Sequence, residues 1–245
     1  MAFSELAKHC EQGAAPFAAT VKAYLALVAR LPAKMPGRLR QLAERTLGYG
    51  VTSADRLKSA LQETALLLWQ GVLSGPGDIA RLQIPVPKAW LAEAAEPRLR
   101  VVVAWESPCN DAVLDRWASR RVKATLRPGP SIEALTGSGR QHQSYPLLDR
   151  TFDLSATALR DKQVTPPETD FWLMEVSYEE IADYFPAMIF PPTQRVGIAA
   201  ELLDEAEEPV SPQAAMQALP QAVSMARLTV PVNRIANPVV VKTRV

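Results

Sequence analysis

The feature that most constrains this chain is the change in texture after Glu63, where proline and glycine break the sequence into short apolar runs of strand length. With 21 prolines and 11 glycines in 245 residues, these runs cannot continue as long helices, since proline lacks the backbone donor and glycine favours turns. They read as strands over Ala65–Leu73, Ala80–Val86, Leu99–Trp105, Arg121–Leu126, Leu148–Leu154, Phe171–Tyr178 and Arg195–Leu203. Six or seven short strands with no regular helix between them predict an antiparallel β-sandwich. Ser74-Gly75-Pro76-Gly77-Asp78 and Arg127-Pro128-Gly129-Pro130 are the clearest turns. Trp105, at the end of the most apolar run, is the expected core anchor.

The first part of the chain has a different period. From Pro16, the residues Phe17, Val21, Tyr24, Leu25, Val28 and Leu31 recur at three- and four-residue spacing, which predicts an amphipathic helix ended by Pro32. A second helix is expected from Gly37 to Leu47, stopped by Gly48 and Gly50, and a third begins at Ser53 as N-cap with Leu57 and Leu61 on its buried side. The fold class is therefore α+β, with a helical segment over 1–62, the sandwich over 63–205 and an extension over 206–245. The extension carries an acidic stretch, a short helix over Pro212–Leu219, apolar alternation over Leu228–Val232 and a final run, Pro238–Val245, of edge-strand or tail character.

Composition narrows the functional classes. Lysine plus arginine (27) nearly balances aspartate plus glutamate (26), so no overall field draws the protein to nucleic acid or to an anionic membrane. Neither is an expected partner. No segment reaches the roughly 20 apolar residues that span a bilayer, and the N-terminus lacks a signal-peptide pattern. Only Cys10 and Cys109 are present, far apart, which suits a reducing cytoplasm better than a disulfide framework.

Candidate chemistry is sparse. His9 and His142 are the only histidines, and with two distant cysteines they supply no zinc-ligand spacing. Cys109 follows a strand with no helix N-terminus to lower its pKa. Glu179-Glu180, Asp183 and the run Asp204-Glu205-Ala206-Glu207-Glu208 have the residue types of a hard-cation site but read as solvated faces. Gly137-Ser138-Gly139-Arg140 opens no helix and reads, with His142, as part of a polar loop over Thr136–Ser144. Arg116, Arg120, Arg121, Lys123 and Arg127, with Trp117 among them, read as a strand presenting cations on one face. No catalytic, cofactor-binding or metal-binding residue is assigned, and no cofactor is expected.

Two groups of segments resemble a known family. Val21-Lys22-Ala23-Tyr24-Leu25-Ala26-Leu27, then Leu47-Gly48-Tyr49-Gly50-Val51 and Ala54-Asp55-Arg56-Leu57-Lys58-Ser59-Ala60-Leu61, are similar to the end of a subtilisin-like catalytic domain. Ile84-Pro85-Val86-Pro87 and Leu99 to Asn110 resemble the β-sandwich appended to large bacterial subtilases, some of them associated with AAA ATPases. The resemblance spans residues 16 to 205 and implies a serine-peptidase background. The triad does not carry over. The first aspartate is Asp55, so none precedes His9 in the family's order, and no Gly-Thr-Ser occurs. The resemblance thus implies the non-catalytic C-terminal region of a split, truncated or degenerate subtilase, packing onto a subtilase-like catalytic polypeptide, with an AAA ATPase as a further partner. The alternative is a stand-alone sandwich acting as an interaction module or accessory subunit, its edge strands open to β-augmentation. A third reading is an enzyme built on Cys109, His142 or the acidic run.

Overall fold

The computed structural model describes residues 15–29, 66–107, 120–128, 134–135, 137, 141–142, 146–180 and 193–219. Helix α1 (Ala18–Val28) precedes β1 (Leu66–Leu73), β2 (Ile79–Pro85), helix α2 (Lys88–Glu93), β3 (Pro97–Trp105), β4 (Arg120–Arg127), β5 (Gln141–His142), β6 (Leu147–Asp153), helix α3 (Ala156–Asp161), β7 (Phe171–Glu180), β8 (Gln194–Asp204) and helix α4 (Gln213–Ala218). The helices expected over 37–47 and from Ser53, and the runs after Leu219, lie outside the described residues.

The strands form a five-stranded sheet in the order β1-β8-β3-β6-β5 and a three-stranded sheet in the order β2-β7-β4. All pairings are antiparallel. Between the sheets lies one core, with Leu99, Val101, Val103, Trp105, Phe152 and Ile198 from the larger sheet meeting Leu82, Ile84, Leu126, Trp172, Met174 and Tyr178 from the smaller. The α+β class follows directly. Trp105 is buried in this core, and its indole N–H donates to Arg120 O at 3.0 Å, so the most polar atom of the anchor is satisfied.

The larger sheet has a second apolar face. Leu66 and Leu68 of β1, Val102 and Ala104 of β3, Leu147 of β6 and Ala199 of β8 point away from the inter-sheet core and pack against Ala19, Ala23, Tyr24 and Leu27 of α1. This gives three layers: helix, large sheet, small sheet. Gly197 sets how close the helix lies, because a Cβ there would sit 2.2 Å from Thr20 N and 2.5 Å from Ala19 C. The backbone of α1 therefore rests directly on β8, an approach that only glycine permits.

Two expectations are revised. The absence of helix between the strands is corrected by α2 and α3, each six residues long, too short to display a helical period in sequence. Ser155 caps α3 by accepting from Ala158 N–H. The helix is closed by Gln163 at φ 55° with Val164 N–H donating to Leu159 O at 2.8 Å, the backbone of a Schellman stop without its usual glycine. The loop expected over Thr136–Ser144 contains β5, whose residues Gln141 and His142 pair with Leu148 and Leu147. In the Ser74–Asp78 turn the left-handed position is Gly77, at φ 85°.

Candidate functional site

Where the backbone donors and charges of this sandwich point decides what it can do. Three polar assemblies are built from side chains far apart in sequence.

The first holds α1. At its start, Gln70 of β1 accepts from Phe17 N–H (2.8 Å) and from the Thr20 hydroxyl (3.0 Å), and donates to Ala15 O (3.1 Å). At its end, Arg100 of β3 donates to Leu27 O (3.0 Å) and Ala26 O (3.5 Å), carbonyls of the last helical turn. The same guanidinium makes a two-pronged pair with Asp149 (3.2 and 2.8 Å) and lies 3.7 Å from Glu201. A cation at a helix C-terminus is favoured by the helix dipole, and here it also neutralises carboxylates that are nearly out of water. Both ends of the helix are thus pinned to the sheet by strand side chains.

The second assembly closes one end of the sandwich. Arg120, buried at the start of β4, donates to Thr193 O (2.8 Å) and Gln194 Oε1 (3.4 Å), with its guanidinium 5.4 Å from the centre of the Tyr178 ring. Gln194, fully buried, donates to Glu106 O and Arg195 O. At the other end Asp204 is the organiser. Burial would raise its pKa, but backbone N–H groups of Val210, Glu96, Ala206 and Ala95 outweigh burial and hold it below the ordinary aspartate value. Trp90 of α2 donates its indole N–H to Val210 O at 2.9 Å, so the segment leading to α4 is fastened over α2. Asp153 is lowered in the same way, burial being outweighed by hydrogen bonds from Ser155 and the pair with Arg98.

The third assembly lies on the outer face of the small sheet. Glu175, at the middle of central strand β7, is flanked by Arg81 of β2 (3.1 Å) and Arg127 of β4 (2.8 Å). Four residues along, Glu179 is flanked by Lys123 (2.6 Å) and Arg121 (4.0 Å). Burial acts to raise the Glu175 pKa, yet hydrogen bonds from Arg127 and Arg81 bring it below the ordinary glutamate value. Four cations surround two carboxylates, and the cations are the more exposed partners: Arg81 is 45% and Glu175 16% accessible. Within each of these pairs the cation is the group that reaches further into solvent.

Strand β2 is an edge of this sheet. Val86 N–H donates to Asp170 O at 2.8 Å, in the register that pairs Ile84 with Trp172, Leu82 with Met174 and Ala80 with Val176. In an antiparallel ladder the bonded pairs recur every second residue, so even-numbered residues of β2 face β7 and Ile79, Arg81 and Gln83 turn their N–H and C=O outward. Pro85, which has no N–H, falls on that outward set, where the ladder loses nothing.

The residues singled out from sequence are therefore dispersed. Glu179 pairs with cations, Glu205 pairs with Arg98 and Asp204 binds backbone N–H groups. Gly137 packs on the Phe152 ring. His9, Cys10, Cys109, Arg116, Trp117 and Asp183 lie outside the described residues. The cationic strand is divided by its pleat: Arg121, Lys123 and Arg127 face out, whereas Arg120 is buried. Among the described residues, no three His, Cys, Asp or Glu side chains gather as a metal site, and no helix is long and apolar enough to cross a membrane. What sequence reasoning missed are the outward-facing partners Arg81 and Glu175, 94 residues apart, and the Arg100 cluster. Alternation in Ile79–Pro85 marks Arg81 as outward, but no local signal names its partner. No protein-family model matches the chain, and no curated protein matches its sequence.

Proposed function

We propose that this protein is a non-catalytic β-sandwich module that acts by binding another protein, as an accessory or interaction subunit. The observation that carries the reading is α1 folded back onto the chain's own large sheet, pinned at both ends by Gln70 and Arg100 and seated on Gly197. The apolar helix face that a subtilase-like catalytic partner would otherwise cover is buried in cis, with Ala23, Tyr24 and Leu27 inaccessible to solvent. A sandwich completed in this way presents edges and a charged face for recognition. Cys10 and Cys109, so far apart in sequence, favour a reducing, cytoplasmic setting for it.

The subtilase-like reading differs in one measurable respect, its dependence on a catalytic polypeptide. Expressed alone, the module should elute as one species by light scattering and unfold in one cooperative transition. A chain that aggregates alone and becomes soluble only when a subtilase-like catalytic polypeptide is co-expressed, with protease activity in the complex, overturns the stand-alone module in favour of a complementing fragment.

A further inference from the structure

Resting on the interaction-module reading, we infer that the outer edge of β2 is the docking strand, and that its ligand is an extended peptide segment of alternating aliphatic and acidic residues, added as a further strand of the small sheet. Two observations converge on this edge. Ile79, Arg81 and Gln83 direct their backbone N–H and C=O groups away from β7, as the register and the Val86–Asp170 bond require. Among the described residues no strand pairs with that edge. Such a row of outward groups is a template for a partner strand.

The side chains specify which strand. On the outer face, Arg81 of β2 donates through its Nε to Glu175 Oε1 at 3.1 Å and is 45% accessible, while Arg127 of β4 pairs with the same carboxylate from its other side. An acidic side chain on the added strand, next to Arg81, meets this exposed guanidinium. Ile79, beside it, is the large apolar residue left most open among the described residues, 44% accessible. The opposite face of the added strand looks toward the large sheet, where the half-buried Leu67 and Trp69 of edge strand β1 pack at the margin of the core. Aliphatic side chains there extend the core past β2. Because side chains alternate across a strand, one segment with acids on one face and aliphatics on the other satisfies both requirements. A basic segment would set like charges side by side on the outer face.

The test uses the full chain and an end-blocked, fluorescein-labelled peptide Thr-Val-Glu-Val-Glu-Val-Thr, with its Lys-for-Glu counterpart, read by anisotropy. The glutamate peptide should bind and the lysine peptide should bind at least about tenfold more weakly, a difference of the size that charge complementarity confers. Gln83→Pro removes an outward N–H without touching the β7 ladder, and it should weaken the glutamate peptide about tenfold or more, since the ring both deletes a donor and blocks close pairing. Arg81→Gln should narrow the preference for glutamate over lysine about threefold or more while both variants keep the wild-type thermal midpoint within about 2 °C. Amide exchange at Ile79, Arg81 and Gln83 should slow on binding. Equal binding of the two peptides, or unchanged affinity in Gln83→Pro, overturns the docking strand; absence of binding by either peptide overturns it as well. None of these results touches the stand-alone module, which is judged by the co-expression experiment.

Discussion

The two sheets share one core but differ in what covers their far sides, and the difference is written in their strands. In the large sheet, β3 (Pro-Arg-Leu-Arg-Val-Val-Val-Ala-Trp) and β8 (Gln-Arg-Val-Gly-Ile-Ala-Ala-Glu-Leu-Leu-Asp) are apolar on consecutive residues, because one face meets the small sheet and the other meets α1. In the small sheet, β2 runs exposed and buried in strict alternation and β4 nearly so. The charges differ likewise. Arg100, on the covered face, is 16% accessible with Asp149 and Glu201 around it at 17% and 9%, whereas the cations of the open face sit in water above their carboxylates. The same ion-pair chemistry thus serves as a pin where water is excluded and as a display where it is not.

The largest break in this comparison is Arg100→Met. It removes the Arg100 cation from beside Asp149 and Glu201 and its hydrogen bonds to Leu27 O and Ala26 O, and the loss should be about 3–5 kcal/mol, the range for breaking a buried pair by removing one partner. Denaturant unfolding of the variant measures it. A loss below about 1 kcal/mol would mean that the cluster is solvated and that the two faces do not differ in this way.

Gly197→Ala follows. Its new methyl would lie far inside contact distance of the Thr20 and Ala19 backbone, and a helix axis cannot move aside as a flexible side chain can. The expected cost is about 1–3 kcal/mol, accompanied by faster amide exchange in α1 while β2, β4 and β7 keep their protection. Ser177→Ala, at the centre of the open face, is the matched control and should change stability by under about 0.5 kcal/mol. Equal costs at the two positions would break the comparison.

The division between the sheets explains how much of the fold was legible in sequence. Seven of the eight strands among the described residues are readable, since proline and glycine bound them and since apolar density distinguishes β3 and β8 from the alternating β2. α1 was readable from its period. α2 and α3 were not, being under two turns long, and α3 ends on Gln163 where a sequence reader looks for glycine. β5 was hidden because two residues carry no period. The polar assemblies were the least readable part: Arg100 meets Asp149 across 49 residues and Arg81 meets Glu175 across 94. Strand alternation fixes which face a residue occupies, but only the strand order decides which charges become neighbours. The role of Gly197 appears only when α1 lies across it.

Acid titration sharpens the comparison at lower cost. Asp204, Asp153 and Glu175 all have pKa values lowered in the folded state, so the unfolded chain binds protons more readily. Their stabilisation is complete above the ordinary carboxylate range and is lost as pH falls through the lower folded values, so the denaturant midpoint should drop between about pH 5 and about pH 2. Asp204→Asn should flatten that slope with little dependence on salt, because its partners are neutral backbone N–H groups rather than mobile charges. Glu175→Gln should flatten it only at low salt, because its partners are guanidinium groups on the open face, where ions screen them. A salt-insensitive effect at Glu175 would place that pair in the covered class.

Among the ion-pair variants the smallest effect is expected at Arg81→Ala, and its smallness is informative. Arg81 is nearly half exposed and shares Glu175 with Arg127, so its removal leaves the carboxylate one guanidinium at 2.8 Å. Exposed pairs of this kind contribute up to about 1 kcal/mol, so the thermal midpoint should shift by no more than a few degrees. A strand side chain that adds so little to stability while standing at an open edge is free to vary without cost to the fold. If Arg81→Ala instead destabilises the protein by as much as Arg100→Met, the open face is a structural element in its own right and the positive rim is a consequence of folding rather than a surface held ready for a partner.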